Sequence, residues 1–557
     1  MAEARQRPHA PIDADFTRRY RFHGGLKLAG CREGAAAHPI RSAGIPAQLI
    51  LPLAQHIGEP AECLVKPGDH VYRGQTVARA VGSISAPVHA ATSGTVLAVE
   101  PRPVPHPSGL PAPCVVIATD GADTACPDLP PALDFRSAGI DTLLERIRAA
   151  GIVGLGGAGF PTRAKLARRE AIELLVINGV ECEPCIACDD ALQRERAQEV
   201  IEGVRILQRI VQPAACVIAV EDNMPAAEQA LRAALAQGNE SAIRVASVPT
   251  IYPTGGERQL IKVLTDREVP SQGFPADIGI IVQNVGTAAA VYRAVAQGEP
   301  LLSRIVTVTG DGVRESCNLE VLIGTPVSHL VAAAGGYSAA IERLLIGGPM
   351  MGYAVHTDAV PVIKTTNCVL AVTARSMPEP EPALPCIRCG RCTEVCPANL
   401  LPQQLYWYAR SSNHDAAQDF GLFDCIECGC CAHVCPSHIQ LVQYYRHAKT
   451  AIWEQEKQKK KADIARARHE ARLERLERLK REREEKLARK KQATDKSAGD
   501  AARQAAIQAA LERVKQKKEQ SDTLPRNIDN LTPEQQRRIE AVDQRRRERT
   551  APPEDTD

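Results

Sequence analysis

The sequences CIRCGRCTEVCP at residues 386–397 and CIECGCCAHVCP at residues 425–436 decide the fold of one part of this chain. Both read C-x2-C-x2-C-x3-C-P, in which a tight loop offers three thiolates to one [4Fe–4S] cluster and the cysteine before proline serves the other cluster. The pattern predicts one cluster on Cys386, Cys389, Cys392 and Cys435, and a second on Cys425, Cys428, Cys431 and Cys396. Disulfides and zinc are the alternatives, but a zinc site has no use for a shared fourth cysteine. The chain is therefore predicted to carry electrons one at a time.

Composition indicates a multidomain protein of a reducing compartment. The chain has 557 residues, of which 44% are hydrophobic, which is enough for three or four domains. Of its 19 cysteines, those outside the two motifs, such as Cys31, Cys63, Cys114 and Cys126, show no disulfide spacing. The N-terminus lacks an apolar signal region, and no apolar run approaches the roughly 18 residues that span a bilayer. We expect a soluble or peripheral protein that faces the cytoplasm.

Charge is unevenly distributed along the chain. Residues 454–557 carry 29 basic and 22 acidic residues, a net charge of +7, although the whole chain has only +2. This tail (451–557) is rich in helix-forming residues and poor in core residues, so we expect a charged helical or disordered segment. Binding of a partner or of lipid is the alternative, and we hypothesise that the tail helps to dock a complex.

The N-terminal part predicts a barrel-sandwich hybrid. Residues 65–100 alternate short β-rich segments with PGD, RGQ and SG turns. This pattern resembles half of a lipoyl- or biotinyl-type carrier domain. The stretch GSIS at residues 82–85 has no lysine for cofactor attachment, so we expect a structural role.

Strands and helices alternate after a Pro-rich linker, which favours a parallel α/β sheet. We expect strands at 173–178, 216–220, 243–248 and 277–283, and helices at 140–150, 193–211, 225–237 and after the last strand through 296. Residues 303–331 predict a small β-grasp domain. The expected domains are a barrel-sandwich hybrid (1–115), a linker (116–136), a Rossmann-like α/β flavin domain (137–300), a β-grasp, SLBB-like domain (301–376), a ferredoxin-like two-cluster domain (377–450) and the tail (451–557).

The string GLGGAGFPTRAKL at residues 154–166 is the second informative motif. Its G-x-G-x-x-G follows a predicted helix, not a strand, which argues against an ordinary dinucleotide-binding turn. It resembles the glycine-rich loop of the flavin-binding subunit of respiratory complex I and related hydrogenases. NGVECEP (178–184), YPTGGE (252–257) and QNVGT (283–287) resemble further segments of that family in the same order. These segments lie between a barrel-sandwich start and a two-cluster ferredoxin end. Over residues 22–443, this order of domains is similar to that of the C subunit of Rnf/Rsx electron-transport complexes.

This resemblance implies an FMN and NAD(H) site. It assigns the phosphate and the ring edge to Gly154, Gly156, Gly157, Gly159 and Lys165. It assigns the isoalloxazine and the nicotinamide to Asn178, Glu181, Glu183 and Asn284, and it adds Gly255, Gly256 and Glu257 to the cofactor-binding residues. Leu155 and Gly256 depart from the complex I pattern, which weakens the detailed transfer of contacts.

Plain alternatives remain for these residues: a tight turn for the glycines, solvated acids for Glu181 and Glu183, and a surface position for Lys165. Cys182, Cys185 and Cys188 read C-x2-C-x2-C, so a third cluster is the alternative to three loop cysteines.

The implied function is a peripheral, NAD(H)-oxidising or -reducing subunit of a translocating ferredoxin:NAD oxidoreductase. It would pass electrons between FMN and two [4Fe–4S] clusters at the cytoplasmic face of the inner membrane. The implied partners are integral membrane subunits and ferredoxin or another carrier, and we expect no nucleic acid partner. A non-catalytic iron–sulfur relay and a soluble NADH dehydrogenase or hydrogenase flavin subunit are the alternatives.

Overall fold

A computed structural model describes residue 12 and residues 16–167, 171–238, 242–338, 340–379, 381–495, 500–519, 536–537 and 539–542. The chain divides into two compact units, Met1–Glu454 and Gln455–Asp557. The first unit holds four domains in chain order, and its α/β domain and two-cysteine-motif domain carry the residues of functional interest.

The N-terminal domain consists of two small antiparallel sheets. A short helix α1 (Glu33–Ala36) and strand β1 (Arg41–Ser42) precede it, and its strands are β2 (Gln48–Pro52), β3 (Glu62–Cys63), β4 (His70–Val71), β5 (Thr76–Arg79), β6 (Val88–His89), β7 (Gly94–Arg102) and β8 (Ala112–Thr119). The sheet orders are β2-β8-β7-β4 and β3-β5-β6. Leu49, Val71, Val77 and Ile117 are fully buried between them. This is the expected barrel-sandwich arrangement, and β8 crosses the predicted boundary at residue 115.

The α/β domain is built on four parallel strands. These are β9 (Leu174–Gly179), β10 (Ala215–Glu221), β11 (Ile243–Val248) and β12 (Ile280–Asn284), in the order β11-β10-β9-β12. The strands are nearly continuous apolar runs because helices cover both faces of such a sheet. The helices are α2 (Ile140–Ala149), α3 (Thr162–Leu166), α4 (Cys188–Glu195), α5 (Ala197–Val211), α6 (Pro225–Gln237), α7 (Glu257–Thr265) and α8 (Val285–Tyr292).

Two predicted elements of this domain differ from the structure. The single helix expected at 193–211 is wrong: α4 ends at Glu195 and α5 starts at Ala197. Arg196 leaves the helical conformation (φ −131°), and its guanidinium contacts the carboxylate of Glu320 at 2.5 Å. The strand expected at 277–283 begins later, because a 3-10 turn covers Pro275–Ile278 before β12.

The β-grasp domain is a mixed sheet that includes the N-terminal segment. Its elements are β13 (Ser303–Thr309), β14 (Cys317–Leu322), helix α9 (Val327–Ala333), β15 (Arg343–Ile346), β16 (Tyr353–Val355) and β17 (Cys368–Val372). The order β1-β14-β13-β17-β15-β16 shows that β1 forms an edge strand of this sheet. Main-chain hydrogen bonds thereby join the segment before the barrel-sandwich domain to the β-grasp domain.

In the domain of the two cysteine motifs, the backbone conformation of the first motif is repeated in the second. Its helices are α10 (Arg391–Glu394), α11 (Pro402–Arg410), α12 (His414–Asp419), α13 (Cys430–His433) and the start of α14 (Leu441–Asp495). Equivalent positions of the two motifs share left-handed φ angles: Arg388 and Glu427, Gly390 and Gly429, Asn399 and His438. The described part of the second unit includes the rest of α14 and α15 (Asp500–Glu519), and residues 455–493 are exposed. Over the described residues, no helix is both long and apolar enough to cross a membrane.

Candidate functional site

Each predicted set of four cysteines surrounds one cavity. A cavity of about 360 Å³ is lined by Cys396, Cys425, Cys428 and Cys431, and a cavity of about 410 Å³ by Cys386, Cys389, Cys392 and Cys435. The remaining lining is mostly apolar and includes Leu405, Val442 and Tyr445 around the first cavity. The fourth cysteine of each set comes from the other motif, as the spacing predicted. The residues present therefore fit two [4Fe–4S] clusters.

The local sequence explains how each loop turns its cysteines inward. Gly390 and Gly429 have φ of +82° and +83°, a conformation that side chains other than glycine rarely adopt. Glu427 in the second motif accepts hydrogen bonds from Arg446 (2.9 Å) and Lys449 (2.8 Å), which tie the loop to α14. Burial raises the pKa of the Cys425 thiol to about 12, so a bound cation is needed to keep it as a thiolate at neutral pH.

The glycine loop projects from the α/β domain between α2 and α3. Its base is closed by a hydrogen bond from the Gly154 N–H to the Phe160 carbonyl (2.8 Å) and by one from Leu155 to the Thr287 hydroxyl (2.9 Å). At the exposed tip, the N–H groups of Gly156, Gly157 and Ala158 have no acceptor among the described residues. A Cβ added to Gly157 would also meet no atom within 4 Å. Consecutive free N–H groups of this kind suit an anion such as a phosphate.

The other predicted flavin residues converge at the carboxyl edge of the sheet, where the strands of an α/β fold place their ligand loops. Lys165 contacts Glu257 at 2.6 Å, and the Asn178 side-chain amide donates to the carbonyl of Gly255 at 2.9 Å. Gly256 caps α7 directly before Glu257. The loops after β9 and β11 are therefore joined to each other and lie beside Lys165.

Asn284 connects the glycine loop to an acidic pair. Its side chain lies 3.4 Å from the Cβ position of Gly156, caps α8 by accepting from Gly286, and donates to Asp189 at 2.6 Å. Glu181 is 7% exposed and accepts hydrogen bonds from the backbone N–H groups of Asp189 (3.0 Å) and Asp190 (3.2 Å) at the start of α4. Burial, followed by the charge of Asp189, raises the pKa of Glu181. In this conformation the Glu181 carboxylate is bonded to the start of α4. A ligand would therefore contact the residues around Glu181 and not its carboxylate.

Glu183 points to the β-grasp domain instead of the glycine loop. Its carboxylate accepts hydrogen bonds from the backbone of Met350 (2.7 Å) and Met351 (3.1 Å). Burial raises the pKa of Glu183. The structure therefore brings most of the predicted flavin residues together, and it gives Glu183 the task of joining two domains.

The three cysteines of ECEPCIACDD lie in different surroundings. Cys185 forms a disulfide with Cys31, Cys188 donates to the carboxylate of Glu181 (3.3 Å), and Cys182 accepts from the N–H of Gly255 (3.2 Å). Cys31 has no disulfide spacing in the sequence, yet it is paired, because the fold brings the N-terminal segment onto this loop. The composition indicated a reducing compartment, in which disulfides are rare, and this disulfide differs from that indication. With Cys185 in a disulfide and Cys182 and Cys188 bonded to different groups, this arrangement does not favour a third cluster.

The two candidate sites touch each other. The Tyr252 hydroxyl donates a 2.6 Å hydrogen bond to the carbonyl of Cys428, and Tyr252 is 3% exposed. Tyr252, Cys428 and Cys430 form one apolar cluster, with Cys182 and Met350 packed against it. Gln259 of α7 donates to the carbonyl of Pro397 (3.2 Å), next to Cys396. The cavity of Cys396, Cys425, Cys428 and Cys431 is therefore the one beside the carboxyl edge of the sheet.

A larger cavity of about 600 Å³ opens on the other side of Asn284, between α8 and β13. Its lining includes Leu155, Asp189, Gly286 and Arg304. None of the predicted flavin residues lines it, so it adjoins the candidate site without containing it.

Sequence reasoning missed several residues of this region. Tyr252 lies within the YPTGGE stretch that the resemblance singled out, and Asp189 directly follows the last cysteine of the C-x2-C-x2-C run, so their positions were available as a signal. Arg304 donates to the carbonyls of Leu155 (3.0 Å) and Lys364 (2.9 Å), and nothing in the local sequence indicates this role.

Four family descriptions match the chain in the order of its domains. They are the RnfC barrel sandwich hybrid domain (residues 20–122), the Nuo51 FMN-binding domain (147–293), the SLBB domain (305–354) and the 4Fe-4S dicluster domain (385–439). These matches confirm the predicted fold classes, including an FMN-type domain and a two-cluster domain.

Curated relatives carry one name, that of the C subunit of an ion-translocating oxidoreductase complex. The relative from Pseudomonas aeruginosa is 52% identical, over 82% of this chain and 58% of its own length. Those from Vibrio cholerae and Serratia proteamaculans are 46% and 45% identical, over 91% and 89% of this chain and 65% and 69% of their own lengths. The chain thus spans less than two thirds of the length of the Pseudomonas and Vibrio relatives.

Among solved structures, an NAD+-reducing [NiFe]-hydrogenase in the H2-reduced state aligns with a TM-score of 0.39 and 18% identity. The alignment covers 58% of this chain and 63% of that chain. The identity to the curated relatives and the four domain matches confirm the resemblance: the chain belongs to the family formed by the C subunits of ion-translocating oxidoreductase complexes.

Proposed function

We propose that this chain is the NAD(H)-handling subunit of an ion-translocating ferredoxin:NAD oxidoreductase. The name of the relatives supports a complex that couples electron transfer to ion movement. The observation that carries the proposal is the hydrogen bond between Tyr252 and Cys428, because it joins the candidate flavin site to the candidate cluster sites. A two-electron site and one-electron sites in contact are what NAD(H)-linked electron transfer requires.

For the flavin, we assign the phosphate to the free N–H groups of Gly156 and Gly157, with Lys165 as the nearby cation. Gly154 and Gly159 shape the loop, whereas Asn178, Gly255 and Asn284 border the ring. Bound FMN would supply the conversion of a hydride into single electrons. The residues of this chain bind and align the two ring systems, and no acid–base residue is needed for that task.

For the clusters, we assign the two ligand sets as the motifs predict, and we propose which of them lies nearer to the flavin. The set Cys396, Cys425, Cys428 and Cys431 is proximal to the flavin, because Tyr252 and Gln259 contact its loops. The set Cys386, Cys389, Cys392 and Cys435 is distal. Tyr252 and the apolar residues around it exclude water between the two sites.

For the setting, we propose that the subunit is peripheral and sits on the cytoplasmic face of the inner membrane. Integral subunits of the same complex would then move the ion, and ferredoxin or another carrier would exchange electrons with the complex. The helical tail would contribute to docking. Membrane association after deletion of residues 451–557 tests this last step, since unchanged association would remove the tail from the interface.

Cofactor analysis of anaerobically purified protein tests the proposal. About eight irons and one FMN per chain, with visible absorbance bleached by NADH, are expected. Eight irons without flavin or any response to NADH would make the chain a relay subunit. About twelve irons would show a third cluster, and Cys182, Cys185 and Cys188 could hold it only if the Cys31–Cys185 disulfide opened. In a Cys428→Ala variant, which lacks one ligand of the proximal set, NADH should still reduce the flavin, whereas the distal cluster should stay oxidised on the same timescale.

A further inference from the structure

The two cysteine motifs differ in how far the rest of the chain covers them. The second motif is covered by Tyr252, and a Cβ on Gly429 would lie 2.9 Å from the carbonyl oxygen of Met350. Asp424, directly before the motif, contacts Arg258 (3.3 Å) and Ser271 (2.6 Å). By contrast, within the part of the chain that the structure describes, no hydrogen bond joins residues 386–392 to another domain.

The uncovered loop presents apolar and basic groups around a cysteine. Ile387 is 68% exposed and Leu384 is 58% exposed, although both are large aliphatic residues. Cys389 is exposed, and so are Arg388 and Arg391 on either side of it. An exposed apolar patch next to a redox group is typical of an interaction site.

The two arginines are available to a partner. Among the described residues, no hydrogen bond or ion pair engages the guanidinium of Arg388 or Arg391. The nearest acidic neighbours in sequence are Glu381, whose carboxylate contacts His438 at 3.2 Å, and the exposed Glu394. The charge of the loop itself is positive, in a first unit that is otherwise mildly acidic.

From this arrangement we propose that Leu384, Ile387, Arg388 and Arg391 form a docking surface for the acidic face of another redox protein. The inference deepens the proposed function, since it rests on the distal cluster being bound by Cys386, Cys389, Cys392 and Cys435. A cluster held by these cysteines would exchange one electron with the partner's redox centre, so that one would be oxidised as the other is reduced and no bond would be made or broken. The arginines orient the encounter, and the aliphatic pair excludes water from the contact.

An anionic lipid surface could also attract two arginines. The protein partner is favoured because the arginines flank a cysteine of the distal set, and a lipid headgroup has no use for an electron. The basic helices of the second unit offer many more charges to a lipid surface. Binding to an anionic lipid surface is therefore the alternative result that the experiment has to distinguish.

The experiment uses the full chain with its clusters, reduced by dithionite so that NADH is not needed. The probes are an acidic [2Fe–2S] ferredoxin and a basic cytochrome c. Binding of each labelled probe is measured by fluorescence anisotropy, and reoxidation of the clusters by stopped-flow absorbance. The variants are Arg388→Gln/Arg391→Gln, the charge-conserving Arg388→Lys/Arg391→Lys, and the matched control Arg79→Gln/Arg136→Gln in the N-terminal half.

The glutamine pair should bind the acidic ferredoxin about tenfold more weakly at low ionic strength, with a difference that disappears near about 0.5 M salt. The reoxidation rate should fall in parallel, whereas cytochrome c should bind no more weakly than before. The lysine pair and the control pair should behave as the original chain. Equal binding of the acidic probe by all variants would overturn the proposal.

Loss of pelleting with phosphatidylglycerol vesicles in the glutamine pair, without a change for either protein probe, would equally overturn it in favour of lipid. Because reduction is by dithionite, a chain that does not react with NADH still gives a result here. Failure of the docking surface and failure of the proposed function are therefore distinguishable.

Discussion

The hydroxyl of Tyr252 lies 2.6 Å from the carbonyl oxygen of Cys428, and this hydrogen bond joins the α/β domain to the loop of the proximal cysteine set. Tyr252 lies directly before the PTGGE segment, whose Gly255 accepts a hydrogen bond from Asn178. One loop therefore contacts both candidate sites. A rigid connection of this kind keeps the distance between them constant, which single-electron transfer needs.

Removing the Tyr252 hydroxyl should affect the proximal cluster more than the distal one. Tyr252→Phe leaves the Cys428 carbonyl without its donor, which should lower the free energy of unfolding by about 1 kcal/mol. Because hydrogen bonds near the ligands tune cluster potentials, one of the two midpoint potentials should shift. A redox titration followed by electron paramagnetic resonance measures this, with Tyr408→Phe as the control. If both potentials shift equally, Tyr252 does not act on one cluster.

The tip of the glycine loop should be sensitive to a single methyl group. Gly157 has φ +106°, and a Cβ there would meet no atom of the protein within 4 Å. Gly157→Ala should therefore cost only the backbone strain, about 1 kcal/mol, unless a ligand occupies the space. We expect flavin affinity to fall at least about tenfold, because the methyl group would block the N–H groups that bind the phosphate.

Gly82→Ala is the matched control for this substitution. Gly82 also has a positive φ (+72°) and open space around its Cβ position, but it lies in the N-terminal domain. Both variants should lose similar thermal stability, and only Gly157→Ala should release FMN, as measured by fluorescence of the filtrate. Equal FMN retention by the two variants would remove the tip from the flavin site.

Local patterns in the sequence predicted most of the architecture. The strands β9 to β12 are apolar runs bounded by turns, and β11 and α6 have the bounds that periodicity predicted. The cysteine spacing predicted which residues surround each cavity, because three of the four members of each set are neighbours in sequence. Prediction succeeded where the determinant lay within a few residues of the element.

Features that depend on distant partners could not be predicted. The break between α4 and α5 occurs at Arg196, whose ion-pair partner Glu320 is 124 residues away. The hydrogen bond that Glu183 accepts from Met350, 167 residues further along, could not be predicted from the NGVECEP motif either. The Cys31–Cys185 disulfide likewise joins residues 154 apart. None of these contacts has a local pattern, because each depends on how domains pack.

The disulfide should contribute to stability in a way that a reductant abolishes. It closes a loop of about 150 residues and ties the N-terminal segment to the loop after β9, so its loss should cost about 5 kcal/mol. Cys31→Ser should lower the denaturation midpoint, and dithiothreitol should lower the midpoint of the original chain to the same value. Cys63→Ser, which removes an unpaired thiol, should leave the effect of the reductant intact. A midpoint insensitive to dithiothreitol would mean that the pair is reduced in solution.

Acid should destabilise the first unit through His89. This side chain is 5% exposed, and burial, assisted by the charge of Lys364, lowers its pKa from 6.5 to about 3. Between these values the unfolded chain binds a proton that the folded chain does not, so stability falls as the pH falls through this range. The loss from pH 6.5 to about pH 5 should be about 2 kcal/mol.

His89→Gln should remove this part of the acid sensitivity, and the exposed His106→Gln should not. Lys364, whose pKa burial lowers to about 7, is protonated in both states below that pH and adds no slope. Burial also lowers the pKa of His56, so some acid sensitivity should remain in every variant. Urea denaturation followed by circular dichroism at several pH values gives the difference between variants. If His89→Gln and the original chain lose stability in parallel, His89 is charged in the folded protein and the packing around it must open to admit water.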